Sequence, residues 1–142
     1  MRRLKKVQKY SKSELKGGVF WQEAPDIKER TLRLVEELHL DYLLGERLFF
    51  YRSVGSKAHA YARTWGLPRL WQRVLQVEPA YIIEVISKYF DKLPRREQDK
   101  ILIHEVTHIP KNFSGALVPH TRRRRGSFHD RLDDLIERYM RI

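Results

Sequence analysis

The spacing of hydrophobic residues changes along the chain, and each change predicts a different element of structure. Between residues 25 and 40, the apolar side chains Ile27, Leu34, Val35 and Leu38 recur at helical spacing, with charged residues between them. Such a stripe lets one face of a helix pack on a core while the other face stays in water. A first helix is therefore predicted over residues 25–40.

Residues 46–90 follow another pattern. Short runs rich in β-branched and aromatic residues are separated by glycine and proline, which is typical of short strands joined by turns. We therefore predict three or four strands of a small, mostly antiparallel sheet. The third of these runs, LWQRVLQV, also fits a short helix. The four runs are RLFFYRSVGS, HAYARTWG, RLWQRVLQVEP and YIIEVISKYF.

Helical spacing returns twice in the last third of the chain. Pro94 can open a helix and Pro110 prevents its continuation, so a helix is predicted over residues 94–109. The last helix is predicted over residues 127–141, with Ser127 as its N-cap. Together with the strands, these helices predict one α+β domain.

Length and composition agree with a single domain. The chain has 142 residues, of which 42% are hydrophobic, which is enough to fill one core. We predict a domain over residues 19–142, preceded by a basic N-terminal arm over residues 1–18. The arm lacks the apolar region of a secretory signal, no stretch is apolar enough to span a membrane, and cysteine is absent. These features predict a cytoplasmic protein with no membrane partner.

Positive charge is concentrated in two segments. The formal net charge is +11, and a surplus of this size attracts nucleic acid or other polyanions. Ordinary solvated faces would also explain a charged surface. A nucleic-acid interface is predicted in the basic arm and in the arginine run Arg122, Arg123, Arg124 and Arg125.

The segment ILIHEVTHIP carries the clearest chemistry. His104 and His108 are four residues apart, so on a helix they lie on one face, where a single metal ion can bridge them. Glu105 follows directly and can reach a water on that metal rather than the metal itself. This pattern predicts one Zn²⁺, which activates the water, and Glu105 as the general base that takes its proton.

A catalytic zinc usually has three protein ligands, so a third ligand is needed. His120 lies in the loop after the predicted helix and follows Pro119, with no evident structural reason for a histidine there. We therefore favour His120 and keep His129, at the start of the last helix, as the alternative. Carboxylates are further candidates, although solvated helix charges explain them more simply: Asp130, Asp133 and Glu137.

The remaining histidines and the tyrosines have simpler interpretations. His39 is expected to cap or flank the first helix, and His59 is expected at the surface. Tyr61 and Tyr81 are expected to be sheet or core residues rather than stabilisers of a transition state. The run YIIEVI precedes the metal-binding helix, and as an edge strand it would let an extended peptide pair with it in the cleft.

The run from YIIEV through HEVTHIP to FSGALVPH is similar to metallopeptidases of archaea and phages that are related to the SprT-like minimal zincins. AYARTWGLPRLWQ also resembles the preceding strands of that family, and the resemblance spans about residues 46–140. It implies a zincin-like fold, in which a small curved sheet packs with an N-terminal helix, the HExxH helix and a C-terminal helix. It also implies His104, His108 and His120 as ligands and Glu105 as catalytic acid and base.

The chain departs from this resemblance in two ways. SprT-like proteins often place the third histidine just before the last helix, which keeps His129 as an alternative. They often carry a cysteine-rich DNA-binding module, which this chain lacks, so a nucleic-acid role rests on the basic arm and the arginine run alone.

Three functions follow from the sequence. The first is a zinc-dependent peptidase that acts on peptides or proteins. The second is a non-catalytic, basic nucleic-acid-associated protein on a zincin-like fold. The third is a pseudo-enzyme whose cleft is closed by the N-terminal arm or the arginine loop.

Overall fold

The computed structural model describes residues 18–120 and 127–142 and has the predicted α+β architecture in a single domain. A four-stranded mixed sheet combines with five helices, and a short 3₁₀ turn (Gly45–Arg47) precedes the second strand. In chain order the elements are β1 (Phe20–Glu23), α1 (Pro25–Glu37), β2 (Leu48–Val54), β3 (Ala62–Gly66), α2 (Arg69–Leu75), β4 (Tyr81–Ile86), α3 (Ser87–Phe90), α4 (Arg95–Thr107) and α5 (Phe128–Met140).

The sheet has the strand order β1-β2-β4-β3. β1 pairs with β2 and β3 pairs with β4 in antiparallel fashion, whereas β2 and β4 are parallel. The prediction of a mostly antiparallel sheet is therefore confirmed. The parallel pair requires a crossover connection, and β3 and α2 lie within it.

Three local features differ from the predictions. β1 was not predicted, because FWQE is too short to show a period. The interpretation of residues 70–77 as a strand is wrong, and the alternative of a short helix is confirmed, since α2 occupies this position and its large apolar residues recur at helical spacing. The last strand run also ends early, because its SKYF portion forms α3.

The three long helices agree with the sequence pattern to within three residues at each end. At the start of α5, the Ser127 side chain accepts a hydrogen bond from the backbone N–H of Asp130, as expected for an N-cap. Within the described residues, no helix has the length and apolar character that crossing a bilayer requires.

One face of the sheet forms the core. Residues that point to this inner face, such as Phe50, Ile83 and Val85, are at most 4% exposed and join one cluster with side chains of α1, α4 and α5. Neighbouring strand residues point to opposite faces. The alternate residues of the same strands therefore form an outer face, which none of these helices covers.

The outer face contains a buried carboxylate. Glu84 is 1% exposed. It accepts hydrogen bonds from Trp21 Nε1 at 3.0 Å, Trp65 Nε1 at 2.9 Å and Arg63 Nε at 2.6 Å. Burial alone would raise the pKa of Glu84, but these hydrogen bonds to the ionised form outweigh it and hold the pKa below 4.5.

The buried Glu84 carboxylate predicts a loss of stability in acid. Because its pKa is lowered in the folded protein, its contribution is present above about pH 4.5 and is lost as the pH falls through the folded pKa. We expect Glu84→Gln to lower the free energy of unfolding by about 1–3 kcal/mol at pH 7. Urea denaturation at pH 7, 5 and 3.5 should show this difference shrinking towards acid. The matched control is Glu23→Gln on the same face, where the side chain is exposed; a similar loss in both variants would contradict the assignment to Glu84.

Candidate metal centre

Helix α4 presents the HExxH residues towards the sheet and the following loop. His104 lies in the last turn, and His108 is the residue that caps the C-terminus, with its backbone N–H bonded to Glu105 O at 3.1 Å. Both histidines are half-buried, whereas Glu105 is 6% exposed. Pro110 follows directly, so the chain leaves the helix just beyond the second histidine.

The loop after α4 returns alongside the helix end. The backbone N–H of Val118 donates to His108 O at 2.7 Å, and His108 Nδ1 lies 2.7 Å from Val118 O. The buried Tyr81 hydroxyl accepts from Gly115 N–H at 2.7 Å and donates to Ala116 O at 2.8 Å. Tyr81 is thus a core residue, as predicted, and it anchors the loop that carries His120.

Gly115 adopts a left-handed backbone conformation with φ of 95°. A Cβ atom at this position would overlap the carbonyl oxygen of Leu67, in the turn that follows β3. A glycine is therefore required here both for the backbone angle and for the close approach to the turn. The loop therefore contacts the segment at Leu67 on one side and the Tyr81 hydroxyl on the other.

Three histidines converge at the end of α4. His120 Nε2 lies 3.1 Å from His104 Nε2 and 2.8 Å from His108 Nε2. Ligand nitrogens at about 2.05 Å from a tetrahedral zinc are about 3.4 Å apart. The observed spacing is slightly tighter, and small side-chain rotations would open it to this value.

The protonation states of the histidines also suit a cation. A proton on His108 Nδ1, donated to Val118 O, leaves His108 Nε2 as a bare acceptor. Burial, together with the smaller effects of the charges of His108, His120 and His129, lowers the pKa of His104 to about 4. Burial also lowers the pKa of His108 and of His120. Neutral imidazoles that direct their nitrogens at one point can hold a metal ion, so the residues fit a metal.

Phe128 supports the cluster from the side and was not predicted to do so. This first residue of α5 is fully buried. Its ring centroid lies 5.0 Å from that of His104, 4.4 Å from that of His108 and 4.6 Å from that of His120. The ring restricts the imidazoles to few rotamers, and an apolar wall of this kind also limits access of water.

The other candidate ligands lie apart from this cluster. In residues 18–120 and 127–142, the group found with metal-binding geometry consists of His104, His108 and His120. The ring of His129 is half-buried, with its centroid 6.2 Å from that of His120. The three carboxylates considered from the sequence are solvent-exposed: Asp130, Asp133 and Glu137.

The two remaining histidines are at the surface. His39 follows the end of α1 with φ of 55° and is exposed, which agrees with the expected flanking position. His59 is exposed, and its Nδ1 lies 3.4 Å from the Tyr89 hydroxyl.

Glu105 has one close partner that the sequence did not reveal. The Thr64 hydroxyl lies 2.6 Å from Glu105 Oε2 and 3.1 Å from the backbone oxygen of the same residue. A hydroxyl has one proton, so it donates to only one of these two oxygens. The shorter contact, to the carboxylate Oε2, is the charge-assisted hydrogen bond. Burial raises the pKa of Glu105, and the Thr64 bond partly opposes that rise.

Thr64 belongs to β3, which is an edge strand of the sheet. YIIEVI was considered as an edge strand, and this expectation was wrong: β4 lies between β2 and β3, so its backbone groups are already paired. The strand beside α4 that has a free edge is therefore β3. Its bond to Glu105 places this edge next to the histidine cluster.

The alternation of hydrogen bonds in β3 shows which groups point outwards. Tyr61 O accepts from Ile86 N and Leu67 N donates to Ala80 O, so the odd-numbered residues of this segment exchange bonds with β4. The N–H and C=O groups of Ala62 and Thr64 therefore face the free edge. No strand in the described part of the chain pairs with that edge.

The predicted nucleic-acid interface lies outside the described residues. It comprised the basic arm, of which only Gly18 is described, and the four arginines at positions 122–125.

Comparison with known proteins identifies the family of the chain. No curated protein and no solved structure matches the chain. A family model does match: its description is "Putative phage metallopeptidase", and it covers residues 19–138, which include β1 and most of α5. By this match the chain belongs to the phage metallopeptidase family.

Proposed function

We propose that this chain is a zinc-dependent peptidase, with one Zn²⁺ held by His104, His108 and His120 and with Glu105 as general base. The proposal rests mainly on one observation: three imidazole Nε2 atoms converge at the end of the helix that also carries the buried Glu105 carboxylate, whose only described hydrogen-bond donor is Thr64. A histidine cluster without a catalytic role would not require the neighbouring carboxylate to be buried.

Each residue has a defined task in this proposal. A zinc ion held by His104, His108 and His120 would lower the pKa of a coordinated water to about 7 and would polarise the substrate carbonyl. Glu105 accepts the proton of the attacking water and returns it to the leaving amine nitrogen as the peptide C–N bond breaks. The raised pKa of Glu105 suits a group that must both accept and donate this proton near neutral pH.

The substrate is proposed to be an extended peptide that pairs with the free edge of β3. The outward N–H and C=O groups of Ala62 and Thr64 can form strand-like hydrogen bonds with such a peptide. Because Thr64 also holds Glu105, this pairing would place a peptide bond of the substrate next to the general base.

The proposed function is tested by metal analysis and peptide cleavage together. The purified chain should contain about one zinc ion per molecule, and it should cleave peptides of a mixed synthetic library, with products identified by mass spectrometry. Removing the metal with 1,10-phenanthroline should stop cleavage, and added Zn²⁺ should restore it. A zinc-loaded, folded protein that cleaves none of the library would contradict the proposal.

The Thr64 hydroxyl gives a second prediction. Thr64→Val preserves the shape of the side chain but removes the hydrogen bond to Glu105, so we expect kcat to fall about ten-fold with little change in KM. In the wild type this hydrogen bond lowers the pKa of Glu105, so its loss should raise that pKa. The acid limb of the pH–activity profile should therefore move to higher pH. Thr64→Ser retains the hydroxyl and should recover most of the activity. An unchanged pH profile in Thr64→Val would argue against the positioning role.

A further inference from the structure

The outer face of the sheet carries an aromatic cluster that the proposed chemistry does not use. We name it the outer-face cluster, and it surrounds an open depression of about 400 Å³. Its two indoles are well exposed, Trp21 at 58% and Trp65 at 49%, although the carboxylate between them is buried. The residues that line the depression are Trp21, Tyr51, Trp65, Ile82 and Glu84.

Hydrogen bonds make this cluster rigid and electrically neutral. The Glu84 carboxylate accepts from both indoles and pairs with Arg63 at 2.6 Å. The Arg63 guanidinium in turn lies 5.1 Å from the centroid of the Trp65 ring. The negative charge is thus compensated within the cluster, so the surface beside β3 favours an apolar group rather than a cation.

The register of β3 connects this surface to a bound peptide. A peptide paired with the free edge would extend the sheet by one strand, and its side chains would alternate between the two faces. The side chain opposite Thr64 would point to the inner face, towards α4 and Glu105. The side chains on either side of it would point to the outer face, beside Arg63 and Trp65.

We propose that Trp65, held in place by Glu84, selects substrates with a large apolar or aromatic side chain next to the residue that pairs with Thr64. The occupant of this surface is thus a side chain of the peptide substrate, and the inference rests on the proposed function. Trp65 borders the free edge of the sheet, whereas Trp21 lies on β1 at the opposite edge. Three strand spacings, about 14 Å, separate these two edges.

Trp21 provides a matched control, because its indole bonds the same carboxylate from the opposite edge of the sheet. Trp65→Leu and Trp21→Leu each remove one indole hydrogen bond to Glu84, but only the first changes a residue of the strand that pairs with the substrate. We would first locate the selected position from wild-type cleavage of the peptide library. A peptide series that differs only there, with Phe, Leu, Ala, Lys or Glu, would then be compared by kcat/KM.

The wild type should favour Phe and Leu over Ala, Lys and Glu by about three- to five-fold, the size expected for one cross-strand side-chain pair. Trp65→Leu should weaken the preference for Phe, and Trp21→Leu should retain it. Trp65→Lys should move the preference towards Glu, a change that loss of stability cannot imitate, whereas Trp21→Lys should not. If the Trp65 and Trp21 variants changed the side-chain preference equally, or if the wild type showed no preference, the inference would be overturned.

Binding to zinc-loaded Glu105→Gln separates this inference from the proposed function. Fluorescence anisotropy with the same labelled peptides should show the same order of preference without cleavage. Wild-type cleavage without any Trp65-dependent preference would overturn the inference alone, and peptide selection without wild-type cleavage would overturn the peptidase proposal alone. If a labelled oligothymidylate bound with an affinity that both Trp→Leu variants reduced equally, the surface would be assigned to nucleic acid and the inference would fail.

Discussion

Replacing Glu105 with Gln is expected to lower kcat/KM by about 10²–10⁴-fold and to leave zinc binding unchanged. The amide has the shape of the carboxylate and can still pair with the Thr64 hydroxyl, but it cannot accept the proton of the attacking water. The metal ligands are untouched by this substitution. This variant should therefore retain its zinc but lose peptide cleavage.

A carboxylate on the same helix supplies the control. Glu97 lies in the first turn of α4, is exposed and pairs only weakly with Lys100 at 3.4 Å. Glu97→Gln should retain wild-type activity, and circular dichroism should show that both variants are folded. Full activity in Glu105→Gln would exclude this residue as the base, even if zinc proved essential.

The parts of the fold that were predicted are those with a strong local period. The apolar stripes of α1 and α5 and the prolines around α4 mark the positions of three helices in the local sequence, and tertiary packing then stabilises them. Helical geometry alone also places His104 and His108 on one face. For the third histidine, the sequence could only rank His120 above His129, because His120 lies in a loop, where no periodic signal shows which way its side chain points.

The parts that were missed depend on pairing between distant segments. Thr64 is 41 residues from Glu105, and nothing in the weakly alternating run around Thr64 marks it as a partner of this glutamate. The interior position of β4 follows from a parallel crossover, which the local pattern of YIIEVI does not encode. The neutral indole–carboxylate network likewise joins β1, β3 and β4, so only the assembled sheet reveals it.

Replacing His120 with Ala is expected to weaken zinc binding by more than about 100-fold. Substitution of residues that merely support a ligand commonly costs 10–100-fold in metal affinity, and the loss of a ligand should exceed this. His120 Nε2 lies within about 3 Å of both helical histidines, so its loss would leave two protein ligands. Competition with a chromophoric chelator would measure the affinity, and cleavage should fall with metal occupancy.

His129→Ala is the decisive comparison, because this histidine is close enough to act electrostatically but is not one of the converging nitrogens. Its ring centroid lies 6.2 Å from that of His120 and 5.6 Å from that of Phe128. Because its ring is not one of the three that converge, His129→Ala should leave zinc binding at neutral pH close to that of the wild type. If His129→Ala lost zinc at neutral pH while His120→Ala retained it, α5 rather than the loop would supply the third ligand, and the loop anchored by Tyr81 would need another purpose.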